Sequence, residues 1–122
     1  MKPAFIPALV VAGAMLAGAV GGLSAVAAPR AKDASECFIF ADLALNAAAH
    51  ARHGIARETF DAIVPDIYDF HTEEARELSS RVIDAAWRAA RAGVVPGDFA
   101  SMLVRVCRMR SGDMDSILGT SL

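Results

Sequence analysis

Apolar positions are arranged in two different ways along this chain. From Phe5 to Ala28 they run without a single charge and without a period. From Glu36 onward they recur at spacings of three and four, interrupted by charges. That is the period of α-helices with one buried face.

The periodic part divides into four helices. Asp33, with Glu36 three residues on, or Ser35, is a candidate N-cap for a helix over about 36–53, with Gly54 just past its end. On it Cys37, Ala41, Ala44, Ala48 and Ala51 share a face flanked by Phe40 and Leu45, and Asp42, Asn46, His50 and His53 lie opposite. A short helix over 57–64 carries Phe60, Ile63 and Val64, and Pro65 is expected to end or kink it. The following Asp66-Ile67-Tyr68-Asp69-Phe70 reads as a turn that tucks Ile67, Tyr68 or Phe70 into the core.

Thr72 caps the third helix, which runs to about Ala92 and stops at Gly93. Its core side is Ala75, Leu78, Val82, Ala86 and Ala89, and Ile83 and Trp87 widen the apolar arc. That width predicts the central helix of the bundle. Its charges, Glu73, Glu77, Arg81, Asp84, Arg88 and Arg91, fall on one arc. Glu77–Arg81 and Asp84–Arg88 stand at i,i+4, each such pair contributing roughly 0.3 kcal/mol in an isolated helix. After the turn Val94-Val95-Pro96-Gly97 a fourth helix covers about 98–109. There Phe99, Met102, Leu103, Val106 and Cys107 face inward, and Arg105 and Arg108 face out. No segment alternates with a strand period and no internal repeat is visible. The predicted fold is all-α, a small bundle of about four helices.

The aperiodic part reads as an export signal. Lys2 is a minimal positive start, Ala8 to Val20 is an apolar run, and Ala25-Val26-Ala27 offers small residues where a signal peptidase reads. Cleavage after Ala27 is expected. An uncleaved anchor is the competing reading, since Phe5 to Ala28 is long enough to span a bilayer. The Gly residues at 13, 18, 21 and 22, Pro7 and the peptidase-type site favour cleavage, which leaves no stable membrane anchor. A lipid-bearing Cys37 is disfavoured because Glu36 precedes it. The expected organisation is a cleaved signal over 1–27, a flexible leader over 28–34, a helical domain over 35–112 and a flexible tail over 113–122.

Export changes how the two cysteines are read. Cys37 and Cys107 sit on apolar helix faces near opposite ends of the domain, without a Cys-x-x-Cys motif. In an oxidising compartment they are most simply one disulfide. Closing a loop of about 70 residues is worth roughly 4 kcal/mol in the chain-entropy model, a large share of the stability of so small a domain.

Charge and chemistry narrow the function classes. The chain has 12 basic and 14 acidic residues, a net charge of −2, and loss of Lys2 with the signal makes it −3. Such a balance argues against a nucleic-acid partner. Arg makes up nearly all the basic residues, with Lys only at 2 and 32. Together with abundant Ala, that usage is typical of a GC-rich bacterial genome. His50 and His53, with Asp42 and Asn46 on the same stripe, are too few converging ligands for a metal site, so a solvated helix face is expected. Glu73 and Glu74 suit a helix N-terminus, and Asp66 and Asp69 suit a turn. Ser79, Ser80 and Ser101 have no placeable His and Asp partners. No cofactor or metal is expected, and no catalytic set is named.

The plan of one Cys in the first helix and one in the last resembles that of small exported bacterial proteins. Periplasmic acid-stress chaperones and periplasmic immunity proteins share this style, and no motif here belongs to either. The expected function is therefore a periplasmic or secreted, non-catalytic module of inhibitor, immunity or accessory type that binds a protein partner. A stress chaperone is the alternative and an enzyme the least favoured reading. Ile83 and Trp87 form the candidate binding patch, with the Ile67–Phe70 turn expected to cover Trp87 in part.

Overall fold

The computed structural model describes residues 29–119, so the expected signal segment over 1–27 lies outside the described residues. Within them the chain is all-α: α1 Ala34–Arg52, α2 Arg57–Ile67, α3 Glu73–Arg91, α4 Pro96–Met109 and a single turn, α5 Asp115–Leu118. No strand occurs among the described residues.

Local chemistry sets the boundaries. Asp33 Oδ1 accepts from the Glu36 N–H at 2.9 Å, and Glu36 Oε1 accepts from the Lys32 N–H at 2.8 Å. Two donors at the start of α1 are thus satisfied reciprocally. Thr72 Oγ1 accepts from the Ala75 N–H at 3.0 Å and starts α3. Pro96 takes the first position of α4, where a missing N–H costs nothing. Pro65 does not end α2, which runs on to Ile67. So close to the C-terminus the proline removes one internal bond, and the carbonyl it frees belongs to the exposed Asp61.

The central helix is α1, not α3. α1 packs along its length against both α3 and α4, which touch each other far less. Its small residues explain this. Ala44, Ala47 and Ala48 are fully buried and admit a neighbour on either side. Serving two neighbours also turns the buried arc of α1. Leu43 and Ala47 are inside, and Leu45 is exposed. Cys37 and Cys107 are joined, with their Cα atoms 5.7 Å apart, which ties the start of α1 to the end of α4 and makes the two helices antiparallel. Phe40, Phe60, Leu78, Val82 and Leu103 fill the remaining core.

Both ends of the domain are more firmly packed than the sequence suggests. Ala31 is 2% exposed, and its N–H donates to the Gly112 carbonyl at 3.0 Å. Gly112 has φ +92°, and a Cβ there would lie 2.0 Å from the Ala31 oxygen. Only glycine permits this approach. The expected flexible tail is corrected over 113–119: Met114 is fully buried and Leu118 nearly so. Two apolar residues spaced four apart form one helical turn that covers the end of the bundle.

The arginines of α3 hold that turn. Arg81 donates to Asp115 Oδ1 at 3.3 Å and to the Gly119 carbonyl, and Arg88 donates to the Leu118 carbonyl at 3.0 Å. The expected Glu77–Arg81 and Asp84–Arg88 pairs are not among the ion pairs of the described residues. Carbonyls at the end of a helix lack internal donors and attract cations, whereas an exposed i,i+4 pair contributes little.

Candidate functional site

The Asp66–Phe70 region builds the site. Tyr68 is buried and caps α2, while Ile67 is 55% exposed. The Tyr68 hydroxyl donates to Asp42 Oδ2 at 2.6 Å and accepts from Asn46 Nδ2 at 2.6 Å. Phe70 stacks on Phe40 with ring centroids 5.3 Å apart, and on Tyr68 at 5.8 Å. Arg76 Nη1 donates to the Phe70 carbonyl at 3.1 Å. Residues 68–70 are thereby a strap laid from α2 across α1 to α3. Burial, reinforced by the hydrogen bond to Asp42, pushes the Tyr68 hydroxyl up to about 12.

A cleft of about 470 Å³ opens on one side of the strap, between α2 and α3. Val64, Pro65, Phe70 and Ile83 supply apolar lining, and Arg57, Asp61, Arg76 and Ser80 supply polar groups. Arg57 spans the cleft end. Its Nε donates to Asp61 at 3.0 Å and its Nη1 pairs with Asp84 on α3. Desolvation opposes its charge, but the two carboxylates outweigh that and hold its pKa above the ordinary arginine value. On the other side of the strap a second cleft of about 310 Å³ lies beside the exposed Ile39 and Ile67.

The sequence-derived patch lies at the edge of the first cleft. Ile83 is 3% exposed, so its part in an open patch is corrected: it is a wall of the cleft. Trp87 is half-buried. Its cover comes from α2 and not from the turn. The Phe60 ring tilts against it with centroids 5.7 Å apart, and the Arg57 guanidinium lies over it at 5.9 Å. The turn goes to α1 instead, because Tyr68 finds its polar partners there.

Of the other candidates, Asp42, Asn46 and His50 are used within the fold, and His53 is exposed. Asp42 and Asn46 serve Tyr68. The His50 ring packs on Phe60 at 4.9 Å, and its Nδ1 lies 2.7 Å from the Asn46 carbonyl oxygen. His71 pairs with Asp69 at 3.3 Å, both highly exposed. Cys37 and Cys107 are enclosed in the core. Among the described residues no three metal-ligating side chains converge, and no helix is long and apolar enough to cross a membrane.

Sequence reasoning singled out neither Arg57 nor Arg76 for the cleft. The available signal was Arg57 four residues before Asp61, followed by aromatic residues in a turn after Pro65. Chemically, the cleft can seat an apolar side chain on its floor and hold polar groups with the Arg76 and Ser80 rim. Comparison with family models, characterised proteins and solved structures finds no match, so the functional reading rests on this geometry.

Proposed function

We propose that this chain is exported to the periplasm or beyond and works there as a non-catalytic protein-binding module of inhibitor, immunity or accessory type. The observation that carries this reading is the α2–α3 cleft. It has an apolar floor and a polar rim, and Arg57 at its end lies over the partly buried Trp87, the composition of a surface that takes a side chain from a partner. None of its lining residues is a histidine beside a serine, the usual base and nucleophile. The joined cysteines support an oxidising compartment, as does the charge-free stretch Phe5 to Ala28.

A photo-crosslinking residue at the exposed Ser80 tests the reading in growing cells, with Arg91 at the far end of α3 as the control position. The expected result is one discrete exported partner joined at 80 and absent at 91. Folded protein that gives no adduct at 80 under any growth condition contradicts it.

Exposed apolar residues on α1, α2 and α4, among them Phe38, Ile39, Ile67 and Met109, favour a second reading, a stress chaperone. Protection of several unrelated clients from aggregation at low pH would select it over the first.

A further inference from the structure

Residues 57–84 supply both walls of the α2–α3 cleft and the strap beside it, and they hold the acidic excess of the chain. They include eight acidic and three basic residues, whereas 29–56 and 85–119 together include six acidic and eight basic. All three arginines of 57–84 are engaged. Arg57 meets Asp61 and Asp84. Arg76 gives one nitrogen to the Phe70 and His71 carbonyls and the other to Glu73. Arg81 turns away to Asp115 and the Gly119 carbonyl at α5. Among the groups that line the cleft and their direct partners, two guanidiniums stand against four carboxylates, those of Asp61, Asp69, Glu73 and Asp84. Asp69 is paired only with the exposed His71. Among the described residues no basic side chain other than Arg57 and Arg76 lines the cleft, and the unpaired Arg91 stands about 18 Å from Ser79 along the α3 axis.

A second, independent observation is Ser79. It is 6% exposed and lines the cleft, and its hydroxyl makes no hydrogen bond among the described residues. Enclosed polar groups are nearly always bonded, so an unbonded hydroxyl in a cleft wall is an acceptor left for a ligand atom. Val64, Pro65 and Ile83 supply apolar lining in the same cleft. Together these features suit a side chain with a long apolar stem and a cationic head. Lysine and arginine bury their methylene stems on apolar surface and carry their charge at the tip. A carboxylate would meet the four acids with both guanidiniums already taken. A purely apolar side chain would leave Ser79 unbonded and strip water from Asp61.

We propose that the α2–α3 cleft receives a lysine or arginine side chain from a basic segment of the partner protein. Its stem packs on Val64, Pro65 and Ile83. Its head donates to the Ser79 hydroxyl and meets the Asp61 and Asp69 carboxylates. Glu58, Asp66 and Glu77 on the same elements are exposed and make no ion pair among the described residues. Their field draws in the basic segment and speeds encounter. The inference rests on the protein-binding reading above and adds the chemistry of the partner to it.

The test uses short Gly-Ser peptides that differ only in their central residues, which are lysine, norleucine or glutamate. Binding to the processed, oxidised protein is read from amide NMR shifts. The lysine peptide is expected to bind at least about tenfold more tightly than either twin, to shift residues of 57–84, and to weaken as salt rises. Asp69→Asn and Ser79→Ala should each weaken it by about fivefold or more. Ser79→Ala should at the same time keep or raise the thermal stability, because alanine favours the helix and the hydroxyl bonds nothing in the free protein. Equal binding of the lysine and norleucine peptides overturns the inference, as does tighter binding of the glutamate peptide. So does undiminished lysine-peptide binding by Ser79→Ala. If n-butylamine displaces the lysine peptide at the concentration at which the peptide itself binds, the ligand is a small amine and the partner segment is excluded. The Ser80 crosslink separates the two levels. An adduct that persists in full in the double variant Asp69→Asn, Ser79→Ala contradicts the inference and leaves the protein-binding reading standing. No adduct in the parent protein contradicts that reading, and this inference with it.

Discussion

The Trp87 ring tilts against the Phe60 ring with centroids 5.7 Å apart, so a single aromatic contact ties α2 to α3 beside the cleft. Trp87 is partly buried and packed against the core, so its removal should cost less than that of a fully buried tryptophan. Trp87→Ala is expected to lower stability by about 2 kcal/mol in denaturant unfolding. Trp87 is the only tryptophan of the chain, so its emission reads its exposure directly. A polar quencher should reach it in part. Complete protection from the quencher would mean the residue is core and would remove it from the binding surface.

Cys107→Ala should cost about 2–5 kcal/mol, the usual range for a native disulfide in a small secreted domain. The loss has a specific location here. The bond joins the first turn of α1 to the last turn of α4, beside the Ala31–Gly112 hydrogen bond. Hydrogen exchange should therefore rise first at residues 31–37 and 107–114. Uniform acceleration over the whole domain would contradict a local staple.

Tyr68 is the only tyrosine, and its phenol titrates at about 12 in the folded state against 10 for a free one. A raised folded-state value means the stabilisation is complete below pH 10 and is lost as pH climbs from 10 towards 12. Thermal unfolding of the parent protein should fall over that interval. Tyr68→Phe should flatten the fall and lower neutral-pH stability by about 1 kcal/mol, since Asp42 and Asn46 can be rehydrated at the surface. Tyrosinate absorbance that rises around pH 10 before any unfolding would show that the strap is not bonded as described.

Gly112→Ala should be among the most damaging single changes outside the hydrophobic core. A Cβ there would meet the Ala31 oxygen at 2.0 Å, on a backbone with φ +92°. A loss of at least about 2 kcal/mol is expected, together with release of residues 29–33 to proteolysis. A variant as stable as the parent would mean that the leader does not pass under Gly112.

The helices and the disulfide were legible in the sequence because they follow from local rules. The three-to-four spacing of Leu78, Val82 and Ala86, the caps at Asp33 and Thr72 and the two cysteines on apolar faces each point to one outcome. Where long side chains reach was not legible. Arg81 and Arg88 stand four residues after acids, yet they reach the end of α5, whose free carbonyls exist only once the chain has folded back. The central position of α1 was hidden for a similar reason. An alanine face looks weak by hydrophobicity, and its value lies in letting two helices come close. The patch at Ile83 and Trp87 was half legible. Periodicity marks both residues as apolar, but only packing shows that Ile83 is a wall of the cleft and that Phe60 and Arg57 cover Trp87.

Export with removal of residues 1–27 and joining of Cys37 to Cys107 are tested together by one intact-mass measurement of the cell-made protein. After alkylation without reductant, the expected mass is that of a chain beginning at Ala28, two hydrogens below its reduced form and carrying no alkyl group. A mass that retains residues 1–27, or that carries alkyl groups on both Cys37 and Cys107, would contradict it.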